Sequence, residues 1–72
     1  YAALEQYQRA IQDLDEAIRL DPQLTLAYVN RALAYTLLGL DKEAQDDIDR
    51  AVELGFDLGT LEGAIEELKN QR

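Results

Sequence analysis

Slid against itself by 34 residues, the chain repeats its own size pattern. Tyr1 falls over Tyr35, Leu4 over Leu38, Ala10 over Ala44 and Asp13 over Asp47. Asp15 likewise falls over Asp49, Ala17 over Ala51, Leu20 over Leu54 and Leu24 over Leu58. Leu14 over Ile48 and Ile18 over Val52 are conservative, so small residues meet small ones and large apolar residues meet large apolar ones. A period of this length marks stacked supersecondary units, none of which buries its apolar face alone. Beyond Leu24 the register decays. The chain has 72 residues, and one that short buries only about 60% of its unfolded surface, so stacking has to supply the core.

Apolar spacing within the repeat is helical, with no stretch of period two. Leu4, Tyr7, Ile11, Leu14 and Ile18 recur at steps of three and four, which predicts a first helix near 2–20. Nothing between Ala2 and Tyr7 interrupts it, so residues 1–20 can run as one helix, though the pattern alone leaves open whether they do. Asp21-Pro22 ends it, because proline disfavours helical geometry in the residue before it. A second helix, near 23–38, is apolar around most of its circumference from Leu26 to Leu38; only Asn30, Arg31 and Thr36 interrupt it. Such a helix lies between neighbours. Gly39 supplies the left-handed residue that closes it. A third helix is expected near 41–54 with Asp41 as its N-cap, and a fourth near 59–70 capped by Thr60 after a Gly-Phe-Asp-Leu-Gly loop. The fourth carries a narrow stripe of Leu61, Ala64 or Ile65, and Leu68 on an otherwise polar surface. The fold class is therefore all-α, an array of about four helices.

Composition removes most chemistry. There is no Cys, His, Met, Trp or Ser. Zinc sites of the familiar kinds and serine or cysteine nucleophiles with an imidazole base cannot be assembled. The acids from Asp41 to Asp49 do not form a calcium loop: counted from Asp41, the sixth place holds Asp46 where glycine belongs, and the twelfth holds Val52 where glutamate belongs. The four glycines match no phosphate-binding spacing. Neither an enzyme nor a cofactor protein is expected. Fifteen acids against seven bases give a net charge of -8, which repels nucleic acid and anionic membranes. Asp15–Arg19, Glu5–Arg9 and Asp46–Arg50 stand four apart in the favourable order for helical ion pairs. The lack of Cys suits a reducing cytoplasm without proving one.

Tyr28, Ala32, Tyr35, Gly39, Ala44, Ile48 and Ala51 stand at the signature spacing of a 34-residue helix–turn–helix unit, and Ala10, Leu14, Ala17 and Pro22 repeat its back half one unit earlier. On these residues the chain resembles the tetratricopeptide repeat. Asn30-Arg31-Ala32 is similar to an Asn-Arg-Gly variant common in bacterial repeats. The resemblance implies a partial repeat at 1–22, a full repeat at 25–56 and a sealing helix at 58–72. Glu5 stands where the family has its turn glycine, and Gly55-Phe56 where Asp-Pro would link a further repeat. Together with the opening on Tyr1, this suggests the end of a longer array.

The family lines a concave groove with the first helices of its repeats. By resemblance Leu26, Val29, Asn30, Leu33, Thr36 and Leu37 face that groove. Some members grip C-terminal carboxylates there. Here only Asn30 coincides with a gripping position, while Val29 and Leu33 replace the polar residues expected beside it. The implied function is protein–protein interaction through an apolar groove. Two occupants stay open: a partner peptide or helix, or a neighbouring helix or second copy of the chain, making a homodimer. Tyr7, Tyr28 and Tyr35 are read as core aromatics whose hydroxyls reach the rim.

Overall fold

The computed structural model describes residues 2–72, and side chains from Ala3 onward; Tyr1 lies outside the described residues. Four helices follow one another: α1 Ala2–Leu20, α2 Thr25–Leu37, α3 Asp41–Glu53 and α4 Leu58–Gln71. The all-α array is as the spacing predicts, and α1 is continuous across Glu5. Without glycine at this position nothing admits the left-handed turn that would divide it.

Each turn has a local cause. After α1 the Asp21 carboxylate accepts the Gln23 amide, and the Asp21 carbonyl accepts that of Leu24, closing a tight turn around Pro22. Helix α2 ends at Gly39, whose φ of +78° lets its amide reach the Thr36 carbonyl and the Leu40 amide reach that of Tyr35. Helix α3 ends the same way at Gly55 (φ +109°), with the Gly55 and Phe56 amides donating to Val52 and Ala51.

The two caps expected from sequence fall differently. Asp41 is the first residue of α3 rather than its N-cap; Leu40 occupies that place and makes no side-chain cap. The Asp41 carboxylate is engaged instead by Arg72, whose Nη1 and Nη2 donate to it at 2.7 and 2.9 Å. Thr60 does not cap α4. Asp57 does, accepting the Thr60 amide at 2.8 Å and the Thr60 hydroxyl at 2.7 Å. An ionised carboxylate outcompetes a hydroxyl for the first free amides, so α4 starts at Leu58, one residue early.

These contacts predict an acid response. The Arg72 guanidinium holds the Asp41 carboxyl below its usual value of 3.8, and the Thr60 hydroxyl and amide do the same for Asp57. A depressed folded value contributes stability above the unfolded value, and that contribution disappears as pH falls through the folded one. The melting temperature should therefore drop as pH passes downward through 3.8. Asp57→Asn should flatten that drop in a thermal melt series; an unchanged pH profile would contradict the cap's role.

Helix α2 is the hub. It touches α1, α3 and α4, while α1, over the described residues, touches only α2, and α3 meets α4 lightly. The core reflects this: Tyr28, Val29 and Ala32 of α2 cluster with Ile48 and Ala51 of α3 and Leu61 and Ile65 of α4. Ala32 and Ala51 are fully buried, which lets α2 and α3 approach closely. No residue of α1 from Ala3 on is fully buried.

Candidate functional site

The candidate site is the outward face of α2, and the residues that hold this helix define it. Arg31 is the clasp. Its Nε and Nη2 donate to the two oxygens of Asp47 in α3 at 2.8 and 2.7 Å, and its Nη1 donates to Asp15 in α1 at 2.7 Å. One guanidinium thus ties three helices, in the planar two-pronged geometry that suits arginine. The Asp47 side chain is only 5% exposed and that of Arg31 19%. The guanidinium lies 5.7 Å from the Tyr28 ring centre and 5.9 Å from that of Tyr35. Its hydrogen bond to Asp47 holds its pKa above the ordinary arginine value, so it stays charged. Burial raises the Tyr35 hydroxyl pKa in the same pocket. Tyr28 is buried and its hydroxyl donates to the Pro22 carbonyl at 2.8 Å; Tyr7 and Tyr35 are half-buried.

The sequence reading treats Arg31 as an interruption of an apolar helix and pairs Asp15 with Arg19. The structure gives Asp15 to Arg31. Arg19 pairs with Glu16, and Arg50 with Glu53 instead of Asp46. Among the described residues Glu5 and Arg9 form no salt bridge. A signal was present: two acids recur at the 34-residue offset, Asp13 with Asp47 and Asp15 with Asp49, beside a lone cation in an otherwise apolar helix.

With α2 fixed, its six expected groove residues divide. Val29 is 7% exposed and belongs to the core cluster with Leu61 and Ile65. Thr36 is fully buried, its hydroxyl donating to the Ala32 carbonyl while its own carbonyl accepts from Arg72. These two residues are therefore withdrawn from the open face, because α4 and its terminal arginine pack over that side of α2. Leu26 is 61% exposed, Asn30 is exposed, and Leu33 and Leu37 are half-buried. Their spacing of four, three and four puts them on one narrow stripe. Leu20 and Leu24, at the turn that enters α2, add exposed apolar surface, Leu20 at 71%.

No group of three or more His, Cys, Asp or Glu among the described residues is arranged to hold a metal ion. No helix there is long and apolar enough to cross a membrane.

A hub helix between helical neighbours, built on a 34-residue period, defines a helical-repeat fold. Comparison with protein families matches the description "TPR repeat" over residues 1–39 and "Tetratricopeptide repeat" over residues 26–56. The chain belongs to the tetratricopeptide repeat family, whose repeats generally mediate protein–protein interaction. It is 38% identical over 65 residues, 86% of its length, to a protein of Triticum aestivum named Hsp70-Hsp90 organizing protein. It spans 11% of that relative's length. No solved structure matches.

Proposed function

We propose that the chain binds a protein partner, without catalysis, by seating an apolar peptide or helix face along Leu26, Asn30, Leu33 and Leu37 of α2. Val29 and Thr36 lie beside this stripe under α4, and make no contact with the partner in this reading. One observation carries the reading: three leucines stay at least partly open on the helix that every other element holds in place. Exposed apolar stripes of this kind serve as docking sites for amphipathic partners, read as anchors spaced three and four apart. Under this reading residues 25–56 are one full repeat, 1–22 part of another, and 58–72 the sealing helix.

The Triticum relative's name speaks of organising Hsp70 and Hsp90. A grip on a C-terminal carboxylate is not part of the proposal, because Val29 is buried and Leu33 is apolar at the positions where the family uses polar groups. Peptides enriched from a displayed 12-residue library are the test. Leu26→Lys, at a position 61% exposed, should leave the helical circular dichroism unchanged. It should weaken the enriched peptide about tenfold or more, the cost of a desolvated charge at the contact. Unchanged affinity in both Leu26→Lys and Leu33→Lys would reject the stripe.

A second reading, self-association through α1, is favoured by the state of that helix. Ala10, Leu14 and Ala17 repeat the face that α3 buries, yet they are only half-buried, and Leu4 is 48% exposed. Light scattering decides it: a chain that remains monomeric and folded at tens of micromolar removes this reading.

A further inference from the structure

Helix α1 carries a face that its repeat counterpart buries and that the single chain leaves half open. Ala10, Leu14 and Ala17 stand 34 residues before Ala44, Ile48 and Ala51, all three of which are buried in α3. The α1 residues are only half-buried, because α1 turns a different side to α2: Ile18 packs against the core cluster and Asp15 meets Arg31. What covers the equivalent face of α3 is a helix, α2, at close approach over alanines.

The open face is complementary to itself. Ala3, Tyr7, Ala10, Leu14 and Ala17 follow one another at alternating steps of four and three, the seam of a two-helix coiled coil, and small and large residues alternate along it. In an antiparallel pair with its two-fold axis at the level of Gln12, Tyr7 of each copy lies opposite Ala17 of the other, and Leu14 opposite Ala10. Each large side chain then meets a small one. A parallel pair would set Tyr7 on Tyr7 and alanine on alanine, which close packing disfavours.

The charges on the rim agree with this direction. Arg9 is exposed and has no salt-bridge partner among the described residues. Antiparallel pairing brings it to the rim that holds Asp13 and Glu16 of the other copy, with Asp13 about 3 Å away along the helix axis at 1.5 Å per residue. The two Asp13 carboxylates meet near the two-fold axis, and the two Arg9 side chains offset their repulsion.

We propose that this face binds a second copy of the chain, with the two α1 helices antiparallel along Tyr7, Ala10, Leu14 and Ala17 and Arg9 of each against Asp13 of the other. A two-fold interface requires such self-complementarity. The proposal rests on the self-association reading and fixes its geometry.

Sedimentation velocity over a micromolar concentration series tests it, together with single cysteines in a chain that has none of its own. A dimer is expected. Arg9→Glu, at an exposed position, should weaken it about tenfold by turning an attraction into a repulsion, and Arg9→Glu/Asp13→Arg should restore it. A short bifunctional thiol reagent should link Asp13→Cys to itself across the axis. It should not link Ala17→Cys, whose copies lie about 15 Å apart along the helices. Leu26→Lys should leave the dimer intact. A chain monomeric throughout would overturn both the proposal and the self-association reading. A dimer that links through Ala17→Cys, ignores Arg9→Glu or is lost in Leu26→Lys would overturn this pairing alone and leave self-association standing.

Discussion

Replacing Arg31 with Ala is expected to cost about 3–5 kcal/mol of stability, the largest loss of any polar substitution in the chain. The change leaves the Asp47 carboxylate, on a side chain 5% exposed, without its guanidinium, and an uncompensated buried charge costs that much. It also removes the cation above the Tyr28 and Tyr35 rings and the tie to Asp15. A domain of this length holds roughly 4–11 kcal/mol in total, so the variant should be partly or wholly unfolded at room temperature. Asp15→Ala offers the contrast: its side chain is 53% exposed, and removing a solvated partner costs less than about 1 kcal/mol. The paired change Arg31→Met/Asp47→Leu should recover most of the loss, since a buried pair replaced by packed apolar side chains is often neutral or better. Urea unfolding of these variants measures all three. Equal losses for Arg31→Ala and Asp15→Ala would show that the clasp does not hold the array.

Leu61→Ala should cost about 3 kcal/mol through a different route. Leu61 is 1% exposed and belongs to the cluster where α4 meets Tyr28, Val29 and Ala32 of α2 and Ile48 of α3. Truncation removes apolar burial and leaves a cavity that two lightly touching helices, α3 and α4, cannot easily close. Release of α4 should also expose Val29 and Thr36. Hydrogen exchange should therefore show faster amides from Leu58 to Gln71, with α1 little changed. Uniform loss of protection across all four helices would mean that α4 belongs to one cooperative unit with the rest rather than to a sealing layer.

Much of this architecture is legible in the sequence because it is local. Glu5 in place of a turn glycine accounts for the unbroken α1. Gly39 and Gly55 mark two helix ends of the same geometry. The apolar circumference of α2 foretells its central place. The rest depends on partners far apart in the chain. Arg31 looks like an interruption until Asp15 and Asp47, each 16 residues away, arrive from opposite sides. The stripe of Leu61 and Ile65 announces that α4 packs against something, but not that it leans on α2 more than on α3. That choice withdraws Val29 and Thr36 from the open face. Cap competition is similarly hidden: Asp57 and Thr60 are both plausible caps, and only the hydrogen bonds show the hydroxyl serving the carboxylate.

The claim that α2 presents the partner surface is tested most directly by nuclear magnetic resonance. A library-selected apolar peptide would be titrated into the isotopically labelled chain and amide shifts mapped. The account predicts the largest shifts at Leu26, Asn30, Leu33 and Leu37, with little change at Glu62 and Glu66. Shifts concentrated on Ala10, Leu14 and Ala17 of α1, with α2 silent, would contradict it.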